Sequence, residues 1–456
     1  MVQPTGAVHM VPLNDLFFST TDRKGIIDEA NEVFCRIARY PREELLGAPH
    51  NIIRHPDMPG GAFKLVWDLL LAGKPVSAYV LNMAADGSAY WAFATIVPID
   101  EGTRFLSVRS KPCNEQLRSS VALVYDSARA FERKAREDGV RKSESARMGA
   151  RFIEKSILEL GYGSYQDFML DLLPTELAAR RALSPTPPGT EVEDPLHRSI
   201  TVSADAVEGQ LASLTTAMES AQEVAIDITA LSKAAYDTMA QLESVLARAQ
   251  LACDEWDNQD ELVVTALPAV REKCNGLANA LAPMAHEIDE VMQVRRFFRF
   301  DVEVARLQNE AIGRYVVAVA RGLEDPAVSS KAITSLADAL YALVDTDLAH
   351  DIEATAELRA NIDRVAAALR VMRMIATTWR NLVDTRGLGE VMKDITPALD
   401  KALEKMSGEV TRLSDDVGKL VSAVDGFDLA SLQAHLGGIA VDAQGFGGAG
   451  GLRSAA

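Results

Sequence analysis

Cysteine is scarce. The chain has four in 456 residues, Cys35, Cys113, Cys253 and Cys274, far apart and with no C-x-x-C pair. That argues against a disulfide framework or a thiolate zinc site, and for reduced thiols in a cytoplasmic chain. Basic residues are also outnumbered: 47 Lys and Arg against 65 Asp and Glu give a net charge of -18. Phosphate backbones and anionic membrane surfaces recruit clustered Lys and Arg, so no nucleic acid and no membrane surface is expected as a partner. No apolar run approaches the roughly 20 residues of a membrane span; the run 316–320 stops at Arg321. Residues 1–12 lack the basic flank and apolar stretch of a signal peptide. The chain contains no G-x-x-x-x-G-K-[ST] phosphate loop, no H-E-x-x-H zinc pair and no G-x-S-x-G elbow. No enzymatic activity and no metal site are expected.

What is present has two grammars. With about half its residues apolar and a quarter charged, the chain is a folded one of more than a single core. After an N-terminal tail, 1–12, residues 13–112 alternate short β-prone and helical runs. Asp22-Arg23-Lys24-Gly25 reads as a turn between the first two strands. Asn31 is placed to cap a helix through Phe34 and Ile37. Pro41 to Gly47 has Pro at the start and Gly at the end of a short helix, and a longer helix covers 60–72. Three strand candidates follow, 76–83, 89–98 and 104–110. The order ββαααβββ implies one antiparallel five-stranded sheet with helices on one face, an α+β domain.

From 113 onward helices dominate. Residues 113–183 form a helical connector broken at Gly161-Tyr162-Gly163, and 184–199 read as a Pro-rich acidic linker. Residues 200–428 carry three long seams with spacings of three and four: Leu211 to Ala249, Leu358 to Val383 and Leu399 to Val424. Sustained heptads signal a helical bundle or coiled coil. Residues 429–456, rich in Gly and Ala, are expected to be a flexible tail.

The stretch His50-Asn51-Ile52-Ile53-Arg54-His55-Pro56-Asp57-Met58-Pro59 packs Arg, two His and Asp beside the amphipathic run 63–70. Polar groups fixed beside an apolar wall suit a small-molecule pocket; a surface turn capping the next helix is the alternative. Together with Gly25, Asn31, Phe34, Tyr40, Gly47, Ala62, Phe63, Trp67 and Tyr90-Trp91, this P-H-N-x-x-R-H-P-D-M-P core resembles the PAS domain of bacterial aerotaxis transducers. The resemblance spans about 100 residues. It implies a PAS fold, non-covalent FAD, and a non-catalytic redox or oxygen sensor signalling to a chemotaxis kinase and its coupling protein as a homodimer. The positions it assigns to the flavin are Asn31, Arg54, His55, Asp57, Phe63 and Trp67. Arg54 suits a phosphate or flavin oxygen, and Phe63 and Trp67, four apart on one helix, suit a ring wall. Core packing for those two aromatics, and a turn-stabilising hydrogen bond for His55 and Asp57, are the plain alternatives. Two features depart from the pattern: Val76 replaces a Trp, and Met83-Ala84-Ala85 replaces basic residues. Segments 300–306 and 313–318 faintly resemble a chemoreceptor signalling tip. A cofactor-free interaction scaffold is the second reading, and a phosphorelay through His286, in Ala285-His286-Glu287-Ile288, the third.

Overall fold

Residues 17–110 supply β1 (Phe17–Asp22), β2 (Ile27–Ala30), β3 (Val76–Met83), β4 (Ala89–Ile99) and β5 (Arg104–Ser110), all paired antiparallel in the order β2-β1-β5-β4-β3. The computed structural model describes residues 2–99, 102–183, 194–255 and 261–453. It divides into two units, one built from 1–212, 299–345 and 428–456 and the other from 213–298 and 346–427.

The turn after β1 is closed by Asp22, whose Oδ1 accepts the N–H groups of Lys24 at 2.8 Å and Ile26 at 2.9 Å. Gly25 takes φ +78° there, and a Cβ at this position would lie 3.0 Å from the Trp67 ring. Both demands are met by glycine alone. Asn31 caps α1 (Glu32–Ala38): its Oδ1 accepts from Phe34 N at 3.0 Å and from Phe18 N at 3.1 Å, tying the helix to β1. Next come α2 (Arg42–Leu45), a 3-10 turn (His50–Ile53) and α3 (Gly60–Leu71).

Three helices make the connector, α4 (Glu115–Glu137), α5 (Lys142–Glu159) and α6 (Tyr165–Leu183). Beyond the expected break at 161–163 there is a second at Asp138 to Arg141, where Gly139 takes φ +87°. The one-face expectation concerned the helices of 13–112; α6 of the connector adds a helix on the other face. Tyr79, fully buried on β3, donates its hydroxyl to Glu176 of α6 at 2.6 Å. Glu176 also accepts the N–H of Asn114 at 3.0 Å and that of Cys113, holding the start of α4. Glu132 of α4 does the same for α3, accepting from Gly60 N and Gly61 N at 2.7 Å each.

The remaining helices are α7 (Pro195–Asp254), α8 (Glu261–Leu281), α9 (Met284–Ala320), α10 (Pro326–Thr385), α11 (Thr396–Asp425) and α12 (Leu429–Arg453). Within the first unit the end of α9 and the turn after it pack on the sheet domain. Phe18 and Tyr315 have ring centroids 4.2 Å apart, and Glu324 accepts the N–H of Glu32 at 2.6 Å. Segments 300–306 and 313–318 lie in one uninterrupted helix, with the chain turning afterwards at Gly322.

The second unit is a helical bundle. Apart from Leu211, the three sequence seams lie in it, and every one of their apolar positions is buried; Trp379 is 1% exposed and donates Nε1–H to Val263 O. Two boundary expectations are corrected. Residues 184–193 of the anticipated linker lie outside the described residues, and 195–199 already belong to α7. The anticipated tail is α12, because its glycines interrupt an apolar stripe, Leu432, Leu436, Ile439, Ala443 and Phe446, that is spaced for one helix face and buried. Its start is capped by Asp428, which accepts from Ser431 N at 2.9 Å. Among the described residues no helix is long and apolar enough to cross a membrane.

Candidate functional site

Strand residues two apart share a face, and α-helical residues three or four apart share a stripe. Those two periods enclose a cavity of about 340 Å³ in the sheet domain. Its floor is Val76, Ala78, Val80 and Asn82 of β3, Ala94 and Ile96 of β4, and Phe105, Ser107 and Arg109 of β5. Its opposite wall is Phe63, Val66, Trp67 and Leu70 of α3, and the turn 49–54 closes one side. Trp67 meets Phe105 edge-on at 5.6 Å. The Arg54 guanidinium lies 4.3 Å from the Phe63 ring centroid and donates to Met58 O at 2.8 Å.

Part of the lining is polar. Arg109 is 3% exposed and donates to Ser19 Oγ at 3.1 Å and to His50 Nε2 at 2.5 Å. A guanidinium only donates, so the imidazole accepts there and is neutral. Desolvation, followed by the positive charge of Arg109, holds the His50 pKa well below the usual histidine range. Asn82 Nδ2 and Ser107 Oγ are buried without a hydrogen-bond partner among the described residues. Unmet buried donors are costly in a folded chain; here both belong to residues that line the same hollow.

Of the six residues assigned from sequence, Arg54, Phe63 and Trp67 line this cavity, and Asn31, His55 and Asp57 do not. Asn31 is spent on capping α1 and lies on a separate hollow of about 180 Å³ with Asp15, Tyr315 and Glu324. His55 is buried beside it in sequence only: its Nδ1 accepts from Asp57 N at 3.2 Å, and the Asp57 carboxylate stands exposed 3.7 Å from the ring. The turn after Arg54 swings both away, so they stabilise the turn. Val76 is on the cavity floor, whereas Met83 and Ala84 pack in the β3–β4 hairpin, whose Ala85 N bonds Ala38 O at 2.9 Å. Sequence reasoning missed Arg109, Asn82 and Ser107. Their signal was a polar residue on the inward step of an otherwise apolar strand. No cluster of three or more His, Cys, Asp or Glu able to hold a metal occurs among the described residues.

Comparison with known proteins agrees with this geometry. Residues 27–109 match the family model described as PAS fold. The aerotaxis receptor of Escherichia coli (strain K12) is 38% identical over 124 residues, covering 26% of this chain and 24% of that protein. The chain thus matches about a quarter of that relative's length. Similar solved structures include a light-oxygen-voltage domain studied with a flavin analogue (23% identity, TM-score 0.22, covering 24% of this chain and 84% of that one). Another is the PAS domain of an HTR-like protein from Haloarcula marismortui (18% identity, TM-score 0.19, 21% and 80% covered). Residues 27–109 thus form a PAS-fold domain, similar in sequence to part of that receptor and followed by a long helical region.

Proposed function

We propose that this PAS domain holds a flavin, FAD by its resemblance to aerotaxis transducers, and that the chain is a non-enzymatic redox sensor acting in the cytoplasm. The observation carrying this reading is the cavity itself, with an aromatic and aliphatic wall and two unmet polar groups, Asn82 Nδ2 and Ser107 Oγ, in its lining. A volume of about 340 Å³ is at the small end for ligand pockets and matches a ring system rather than a whole dinucleotide. Lys24, exposed at the rim, supplies a cation for a phosphate. A bound flavin supplies a ring whose charge and hydrogen bonding change on reduction.

The chain's own residues give that change a route outward. Phe63 and Trp67 ride on α3, whose first two N–H groups are held by Glu132 of α4. Tyr79 on β3 is held by Glu176 of α6. A shift of the wall or the floor is therefore felt by the connector, which biases helical packing toward a partner. In this reading the chain works as a homodimer, and the partners are a chemotaxis kinase and its coupling protein. The small cavity, with Val76 on its floor, favours one other reading, a cofactor-free scaffold that assembles signalling proteins.

Absorption spectra of the purified protein separate the two. A yellow protein whose flavin bands disappear in Arg54→Ala and Trp67→Ala is the expected result. A colourless protein indifferent to added FAD overturns the sensor reading in favour of the scaffold.

A further inference from the structure

We infer that Arg109 is the charge-selecting residue of the PAS cavity, favouring the reduced, negatively charged ring of a bound flavin over its neutral oxidised form. The inference rests on the flavin reading above. Arg109 lies on the inward step of β5 with Phe105 and Ser107, buried in the lining of the hollow. Its two hydrogen-bond acceptors, Ser19 Oγ and His50 Nε2, are both neutral. Among the described residues no carboxylate pairs with it; the charge interaction that bears on it is with the Tyr90 hydroxyl. The rings of Phe34 and Phe17, 5.3 and 5.9 Å from the guanidinium carbon, offset only part of the cost of burying it. Burying an unpaired ion costs several kcal/mol. Burial lowers the Arg109 pKa to about 10, which still leaves it protonated at neutral pH.

Arg109 thus brings one uncompensated positive charge to the cavity lining. The hydroxyl of Ser107, two residues before Arg109 on the same strand face, is buried without a partner among the described residues. The guanidinium only donates, so a ligand edge that meets it accepts and is stabilised further by negative charge. Reduction of a neutral flavin ring by two electrons and one proton from a reduced electron carrier leaves one negative charge on the ring. Arg109 lowers the free energy of that form selectively, and by linkage the reduced ligand binds more tightly. Each tenfold difference in affinity between the two forms raises a two-electron midpoint potential by about 30 mV.

The test uses the full-length protein carrying flavin, with dithionite as reductant and spectroelectrochemical titration as readout. Arg109→Met is expected to bind oxidised flavin within a few-fold of the unsubstituted protein. It should bind reduced flavin at least tenfold more weakly, so the midpoint falls by about 30 mV or more, and Arg109→Lys should recover most of it. Should Arg109→Met fail to fold, Ser107→Asp places a counter-charge on the same strand face and is expected to lower the potential likewise. A flavin-bearing protein whose potential is unmoved by these substitutions overturns the role of Arg109 while leaving the flavin reading standing. A wild-type protein that takes up no flavin in either oxidation state overturns both.

Discussion

At the residue scale, the His50–Arg109 contact makes a pH prediction. The imidazole accepts from a buried guanidinium, so its pKa in the folded protein lies below the ordinary value of 6.5. A depressed folded-state pKa means the associated stability is fully present above the unfolded value and is lost as pH falls through the folded one. NMR of the His50 ring should therefore show no titration around pH 6.5, with thermal stability of the PAS domain declining as pH falls from 6.5 toward the folded-state value. A His50 midpoint at or above 6.5 contradicts the assigned contact. Legibility in the sequence was uneven here. Arg54, Phe63 and Trp67 were visible because a turn and a four-residue helical step announce themselves locally. Arg109 and Asn82 were not, since only the strand order brings β5 and β3 together under α3.

At the scale of elements, carboxylates hold helix starts. Glu132 accepts two N–H groups from the first residues of α3, where the helix dipole also favours negative charge. Replacing it with Gln is expected to destabilise the PAS domain by about 1–3 kcal/mol in chemical denaturation; no change would mean the contact is not formed. Gly149 of α5 faces this carboxylate, and a Cβ there would overlap it. Gly149→Ala should therefore cost about as much again by forcing α3, α4 and α5 apart, measured the same way. The strands and the three helical seams could be read from periodicity alone, because burial on one face dictates a period of 2 or 3.6. The break at Asp138 and the helix α12 could not. One depends on a single positive-φ glycine, and the other hides its apolar stripe among glycines whose low propensity is overcome by tertiary burial.

At the scale of the whole molecule, the two units carry separate cores. Trp379 fills the bundle core and is essentially inaccessible. Trp379→Ala is expected to destabilise the bundle unit by about 3–5 kcal/mol, while flavin absorption of the PAS domain is retained. A cost below about 1 kcal/mol by denaturant titration would show that the seams do not pack as described. In the proposed sensor, the contacts by which the connector grips the PAS domain, Glu132 on α3 and Glu176 on β3, join sensing to output. Hydrogen exchange over residues 115–137, compared between oxidised and dithionite-reduced protein, addresses that coupling directly. The account predicts a change in protection on reduction that shrinks in Glu132→Gln. Identical exchange in both redox states, in a protein that demonstrably binds flavin, would contradict it.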